Sequence, residues 1–551
     1  IDAVFLNAPH FEPCHCGRCR KLFREQFGTD LPERDADFPK AWGDACFRTN
    51  IRTLHGAMKE GDPSLPLILY YGNQPAFSAE VADMLCTESQ DILSRGHGRI
   101  PRIHEPVVNT KLGSSVESDM PPFGIIHSSP GMEWRHTGLP DAEYRFWMSQ
   151  VPAHGGQLWH SLTGFPGTIT DKRVLRAVAD VNADAGKVRD LMQRMRPDSD
   201  VLLLWDGGPD AHGWTGLLTA LREQFDVLTP DQVTPQKLNQ YAVVIVPDSD
   251  PKRTFEAIAS EVLSGMLRKY VAQGGRLVVE QAAFDVDADW KALAGIDPEA
   301  PSSEMLRAAY VRLETGAAVC GLDPTENPLL PLCGIVRYAM PPDGSANILA
   351  TYVPPFSPVE SVGAPPERAS LSVERTDWPM LFLRDMARGR VATLLFGLGR
   401  LFSEFGLVDH EALAAGLITH LRGAAPGVRT DAIPGLLMSV WREVASEQAS
   451  EQASEPVSEP VSEPTSEEAT AGTYTRLIHL LNGVGERPLR QTIPLRNLNV
   501  TVRLAPGERV VTAKAVLSET RLSFEVVDGH VQIRLPELSV WEAIAVEYQW
   551  E

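Results

Sequence analysis

The chain has 551 residues, 43% hydrophobic and 22% charged, which gives room for several ordinary globular domains rather than one. A net charge of −21 excludes the basic face that nucleic acid requires, and no apolar stretch is long enough to cross a membrane. Seven cysteines, three of them clustered, do not make a disulfide framework and fit a reducing, cytoplasmic compartment.

Ile1, Ala3, Val4, Phe5 and Leu6 form a short apolar run, as expected of a parallel strand buried on both faces. Asn7, Ala8, Pro9 and His10 follow at its carboxyl end, where (β/α) barrels place their chemistry. Cys14, Cys16 and Cys19 then read C-x-C-x-x-C, three soft ligands where a tetrahedral zinc site takes four; Cys46, Cys86, His10 and His15 are the candidate fourth. Cys19, Phe23 and Phe27 recur at helical spacing and Gly28 supplies a stop, which predicts a helix from near Gly17.

Pro66 to Gly72 and Ala82 to Thr87 read as the next two strands, the second delivering Glu88. Pro106 to Leu112 and Phe123 to Ser128 compete for the strand after that. Pro140 to Val151 carries Tyr144, Trp147, Met148 and Val151 on one helical face, with Pro140 suited to the first turn. Gln157 to Leu162 is a further strand, and Asp171 to Met195 a long helix.

A new unit opens at Asp200 to Trp205. Strands at Phe225 to Leu228, Ala242 to Val246 and Arg276 to Glu280 alternate with helices at Trp214 to Gln224 and Phe255 to Val271, the pattern of a doubly wound parallel sheet. Gly389 to Phe396 and Asp409 to Arg422 complete it, while Cys320 and Cys333 fall in a Pro-rich, irregular stretch. Residues 446–472 repeat S-E-x-x without an aromatic residue and are expected to form a disordered acidic loop. Leu436 to Trp441 and Tyr474 to Leu481 flank it as strands, and alternating runs such as Val500 to Leu504 and Val531 to Leu535 indicate an antiparallel sandwich.

A strand ending in Asn7, the cysteine loop, RKLFREQFGTDLP and KAWGDACF together resemble glycoside hydrolase family 42, the β-galactosidases, and their relatives grouped as hypothetical glycosyl hydrolase 6. The resemblance implies an α/β protein in which residues 1–197 are the C-terminal part of a TIM (β/α)8 barrel, its first three strands missing upstream. It implies a flavodoxin-like, class I amidotransferase-like trimerisation domain over 198–424 and a β-sandwich over 425–551, interrupted by 446–472. Structural zinc on Cys14, Cys16 and Cys19 with a fourth ligand from upstream, no organic cofactor, a saccharide substrate and a homotrimer follow from the same likeness.

The catalytic carboxylates of that family are not matched. Its acid/base is the Glu of an Asn-Glu pair, read here as Asn7-Ala8, and its nucleophile is a Glu whose position falls near His127. Barrels like the α-fucosidases carry a nucleophilic Asp where the strand ends Phe-Asp, and this strand ends Leu6-Asn7. Glu88 and Glu133 are the candidate pair that remains near the barrel mouth, with Glu133 set in GMEWRH, where a neighbouring Trp would raise its pKa and Arg135 would lower it. The structural alternatives are a helix-start carboxylate for Glu88 and a surface ion pair with Arg135 for Glu133.

Asn7, His10, Tyr71, His127, Trp134, His136, Trp159 and His160 lie at or just after predicted strand ends, and stacking rings beside hydrogen-bonding side chains suit a sugar. The sequence thus points to a carbohydrate-active hydrolase or to a catalytically degenerate relative that binds saccharide or serves as a scaffold. An amidotransferase reading of the middle unit would require a cysteine on a strand-to-helix elbow, which the predicted strands do not supply.

Overall fold

The computed structural model describes the chain apart from residues 1, 8–11, 71–73, 90–102, 117–120, 166, 249–260, 282–287, 297–305, 340, 342–345, 355–375, 445–472 and 551. Its first unit comprises β1 (Val4–Leu6), α1 (Gly17–Phe27), α2 (Lys40–Gly61), β2 (Leu67–Tyr70), α3 (Pro75–Val81) and β3 (Met84–Ser89). It continues with α4 (Glu105–Ser114), β4 (Phe123–His127), α5 (Asp141–Ala153), β5 (Gln157–Ser161) and α6 (Arg173–Met192). The five strands pair in parallel in chain order. In a flat sheet β1 and β5 would stand roughly 19 Å apart. The Phe5 and Trp159 rings on those outer strands instead have centroids 4.9 Å apart, so the sheet curls round its own concave face.

Helix α1 begins and ends where the sequence predicts, with Gly28 in the left-handed conformation at φ 70° and its N–H bonded to Arg24 O. The stretch from Pro106 to Leu112, weighed as a strand, is helix α4, and the strand is β4. Pro106 opens the first turn, and Val107, Val108, Thr110, Leu112 and Gly113 are all buried, so no solvent-facing side exists to give a helical repeat of polar residues.

The second unit is β7 (Val201–Leu204), α7 (Pro209–Ala220), β8 (Phe225–Leu228), α8 (Pro235–Leu238), β9 (Val243–Val246), α9 (Glu261–Ala272), β10 (Arg276–Glu280) and α10 (Ala288–Ala294). It is preceded by β6 (Met195–Pro197) and followed by β11 (Leu306–Leu313), β12 (Leu329–Gly334), β13 (Asn347–Val353), β14 (Pro379–Met386), β15 (Gly389–Leu394), α11 (Leu398–Phe405) and α12 (Val408–Arg422). Strands β8-β7-β9-β10-β15 are parallel, as the alternating pattern predicts. The same sheet then runs on through antiparallel β14, β13, β11 and β12, so the stretch read as irregular is structured: Cys333 lies on β12 and Cys320 in the turn Thr315–Cys320. Helix α7 starts earlier than expected, with Pro209 in its first turn, and Arg222 at φ 58° breaks the chain direction soon after it.

Helices α7 and α11 pack backbone to backbone. A Cβ at Gly213 would sit 1.8 Å from Gly399 O, so only glycine fits. Beyond α12, antiparallel sheets of four and six strands enclose a second core of Val, Leu and Ile side chains, with Leu436–Glu443 paired to Thr473–Asn482 and β6 added at the edge through Pro197 and Trp441. The expected acidic loop, 446–472, lies outside the described residues. Among the described residues no helix is long and apolar enough to cross a membrane.

Candidate active site

The two faces of the curled sheet are set by strand alternation. Leu85 and Ile126 join Val107, Val108, Tyr144 and Met148 in the core under α4 and α5. A Cβ at Gly124 would lie 2.6 Å from a methyl of Val151, so even-numbered positions of β4 face α5. Odd positions of β4, and their partners Cys86, Glu88, Trp159 and Ser161, therefore share the concave face.

On that face Glu88 of β3 stands opposite Ile125 of β4, and His127 is two residues further along β4. The pair is diagonal, and His127 Nε2 donates to Glu88 Oε1. Their side chains are only 9% and 10% exposed, which strengthens the interaction and excludes competing water. Tyr70 and Cys86 share this environment: burial, then the nearby Glu88 charge, pushes both upward, the Cys86 thiol to about 12. Both therefore stay protonated and neutral at ordinary pH. Asn109 of α4 donates to Ser89 Oγ at 3.1 Å and reaches Glu88 O at 3.5 Å, fixing the end of β3. A carboxylate bonded to an imidazole at the carboxyl end of a parallel sheet can hold, donate or accept a proton.

The other sequence-predicted residues are distributed unevenly. Trp159 is half-buried on the concave face, its ring 4.9 Å from Phe5 and 6.1 Å, edge-on, from Phe123. His160, expected in the cleft, points to the helical layer, where its Nε2 bonds Asn182 of α6 at 3.1 Å, because adjacent residues of a strand face opposite ways. Glu133, Trp134 and His136 are exposed on the loop after β4, and among the described residues no hydrogen bond or ion pair joins Glu133 to Glu88. Glu133 Oε2 instead folds back over Gly131, 3.1 Å from where a Cβ there would sit. Asn7 is exposed after β1; His10 and Tyr71 lie outside the described residues.

Cys14, Cys16 and Cys19 bring their sulfur atoms within 4.8 Å of one another, a grouping that could hold a metal ion. Cys16 caps α1 by accepting from Cys19 N, and that bond, with those from the other two thiols, lowers its pKa to about 7. Burial, then the neighbouring thiols, raises Cys19 to about 12. Cys46 on α2 is raised by burial and by Cys14, which places it nearby. His15 is engaged with Asp35 at 2.8 Å, and Cys86 belongs to the concave face beside Glu88.

Sequence reasoning missed one cluster entirely. At the carboxyl edge of the nine-stranded sheet, Glu280 is fully buried and accepts from Leu398 N at 2.7 Å and Asp248 N at 2.8 Å. Burial and Asp248 push it to about 8, and burial with Asp248 and Glu280 raises Asp210, whose Oδ1 accepts from Arg400 N at 3.0 Å. Strand β10 ends in Glu280, and the sequence from there to α10 contains no cysteine.

Comparison with solved structures is decisive for the architecture. α-L-Fucosidase isoenzyme 2 from Paenibacillus thiaminolyticus superposes with a TM-score of 0.72 at 16% identity, over 99% of this chain and 77% of that one. The chain shares the fold of that structure. A β-galactosidase from Bacillus circulans sp. alkalophilus matches with a TM-score of 0.60 at 14% identity, and a GH42 β-galactosidase from G. stearothermophilus with 0.62 at 12%, each over 98% of this chain and 77% of the other. At such identities the likeness is one of fold: mixed α/β with a parallel sheet and antiparallel C-terminal sheets. No family model and no curated protein matches the sequence.

Proposed function

We propose that this chain is a glycoside hydrolase whose proton-handling group is Glu88, held by His127 at the carboxyl end of the curled sheet. The buried Glu88–His127 bond carries the reading. Hydrolysis needs one carboxyl to protonate the departing glycosidic oxygen and a second to attack the sugar or activate water. Glu88 supplies the first in this scheme and Glu133 the second, with the exposed Trp134 and the half-buried Trp159 offering ring faces to the sugar and Asn7, His127 and His136 its hydrogen bonds. The saccharide class rests on the fold shared with a fucosidase and with β-galactosidases.

The same reading makes β1–β5 the latter part of a (β/α)8 barrel over 1–197, the nine-stranded sheet an amidotransferase-like trimerisation domain over 198–424, and the remainder, 425–551, a β-sandwich. It assigns a structural zinc to Cys14, Cys16 and Cys19, which would fasten the loop before α1. One observation favours a second reading, a degenerate saccharide binder: the position matched to the family nucleophile holds His127, and that side chain is engaged with Glu88. Turnover of aryl glycosides by wild type and by Glu88→Gln separates the two, since a binder turns over neither.

A further inference from the structure

Cys16 is the N-cap of α1 and Cys19 its third residue, and with Cys14 their sulfur atoms all lie within 4.8 Å of one another. Gly17 and Arg18 between them are helical. A helix that rises about 1.5 Å per residue on a radius of about 2.3 Å therefore sets the two Cα atoms roughly 5 Å apart. A disulfide spans Cα atoms about 4.4–6.8 Å apart, so the backbone of α1 already has the spacing that one requires. Cys16 Sγ also accepts from Cys19 N at 3.5 Å, which turns its side chain over the first turn toward Cys19.

The loop's own contacts fasten this arrangement. His15, between Cys14 and Cys16, accepts from Arg20 Nε on its carbonyl oxygen at 2.9 Å, while its ring bonds Asp35 at 2.8 Å and lies 5.1 Å from the Phe38 ring. Cys16 is exposed and Cys19 partly buried, an outer thiol open to a dissolved reagent beside an inner one open to the first. The other cysteines are placed differently. Cys86 and Cys320 are buried, Cys333 Sγ donates to Glu404 Oε2 at 3.6 Å, and Cys46 is not among the sulfur atoms that converge.

We propose that Cys16 and Cys19 are a thiol–disulfide exchange pair, closed to an intrachain disulfide by a small-molecule disulfide and reopened by a dithiol. In the closing step Cys16 gives its proton to solvent and its sulfur attacks one sulfur of the oxidant, breaking the S–S bond there and expelling one thiolate. Cys19, losing its proton in turn, attacks the Cys16 sulfur of that mixed disulfide and expels the second thiolate. The protein's two thiols are oxidised, and the oxidant is reduced to two thiols.

The test uses the full chain, reduced, stripped of metal with EDTA and equilibrated without oxygen over a series of glutathione to glutathione disulfide ratios, then denatured, alkylated and mapped by peptide mass spectrometry. The expected result is a Cys16–Cys19 disulfide that forms as the ratio falls, reopens with dithiothreitol and leaves the other cysteines alkylatable. Cys19→Ser stops at the mixed disulfide, with glutathione on Cys16. Cys16→Ser, which keeps a favourable N-cap on α1, forms neither product. Because the chain is stripped of metal, the outcome is independent of the zinc assigned to the same thiols. Thiols that stay alkylatable at every ratio, a disulfide joining other cysteines in place of this pair, or a Cys19→Ser variant without glutathione on Cys16 overturns the proposal.

Discussion

Glu88 and His127 sit on neighbouring parallel strands, one pleat out of step, and are joined through Oε1 and Nε2 inside a nearly closed surface. This diagonal relation lets the imidazole fix the orientation of the carboxyl on the concave face. The partnership is absent from any local motif, because the residues stand 39 positions apart in the chain with α4 between them.

The thiol cluster gives the most direct compositional check. Cys16→Ala removes both a candidate metal ligand and the N-cap of α1. We expect about one zinc per chain in wild type by elemental analysis, and loss of the metal with a lower melting temperature in the variant. Wild-type protein without bound metal after expression in zinc-supplemented medium contradicts the assignment.

Arg487 and Glu143 tie the last unit to α5. Glu143 is fully buried and accepts from Arg487 Nη1 at 2.8 Å, Leu489 N at 2.7 Å and Trp147 Nε1 at 2.9 Å, while the guanidinium covers Phe146 at 4.5 Å. Arg487→Met leaves a buried carboxylate without its cation, which typically costs about 3–5 kcal/mol. Chemical denaturation should show the loss, and the double change with Glu143→Gln should recover part of it.

The acidic cluster sets a pH dependence whose sign follows from linkage. Glu280 rises from 4.5 to about 8 and Asp210 rises as well, so the folded chain holds protons that the unfolded chain has released. Their contribution to stability is full below the unfolded carboxyl range and is lost as pH climbs toward the folded value. Melting temperature should therefore fall by several degrees between about pH 6 and about pH 9, and Asp210→Asn should flatten that slope. A wild-type profile that rises over the same interval rejects this account.

Close packing at α7 and α11 yields a steric test. Gly213→Ala introduces a methyl 1.8 Å from Gly399 O, closer than any relaxation of a side chain can relieve. Soluble, folded yield should collapse, whereas Gly186→Ala on α6, where a Cβ meets nothing within 4 Å, should be tolerated.

Much of the fold was legible because buried parallel strands are short apolar runs and helix ends carry their own punctuation: β1, β7, β8 and β9 and the Gly28 stop follow from such signals. Helix α4 was missed because burial on nearly every side erases amphipathic periodicity. Glu88 was legible as a strand-end carboxylate. That His160 turns outward while Trp159 turns inward depends on register with β4, and the Asp210, Asp248 and Glu280 cluster assembles from three separate crossovers, so neither could be read from neighbours in sequence.

The central claim is that Glu88 moves the proton in glycoside hydrolysis. The direct measurement is the turnover number of the full chain on a panel of aryl glycosides, wild type beside Glu88→Gln, with thermal melting to confirm folding. General acid/base help is worth about 10²–10⁴ in rate, so the variant should lose that factor on the active substrate while melting near the wild-type temperature. Equal turnover by a folded Glu88→Gln variant would contradict the assignment, and absence of turnover in both would favour the saccharide binder.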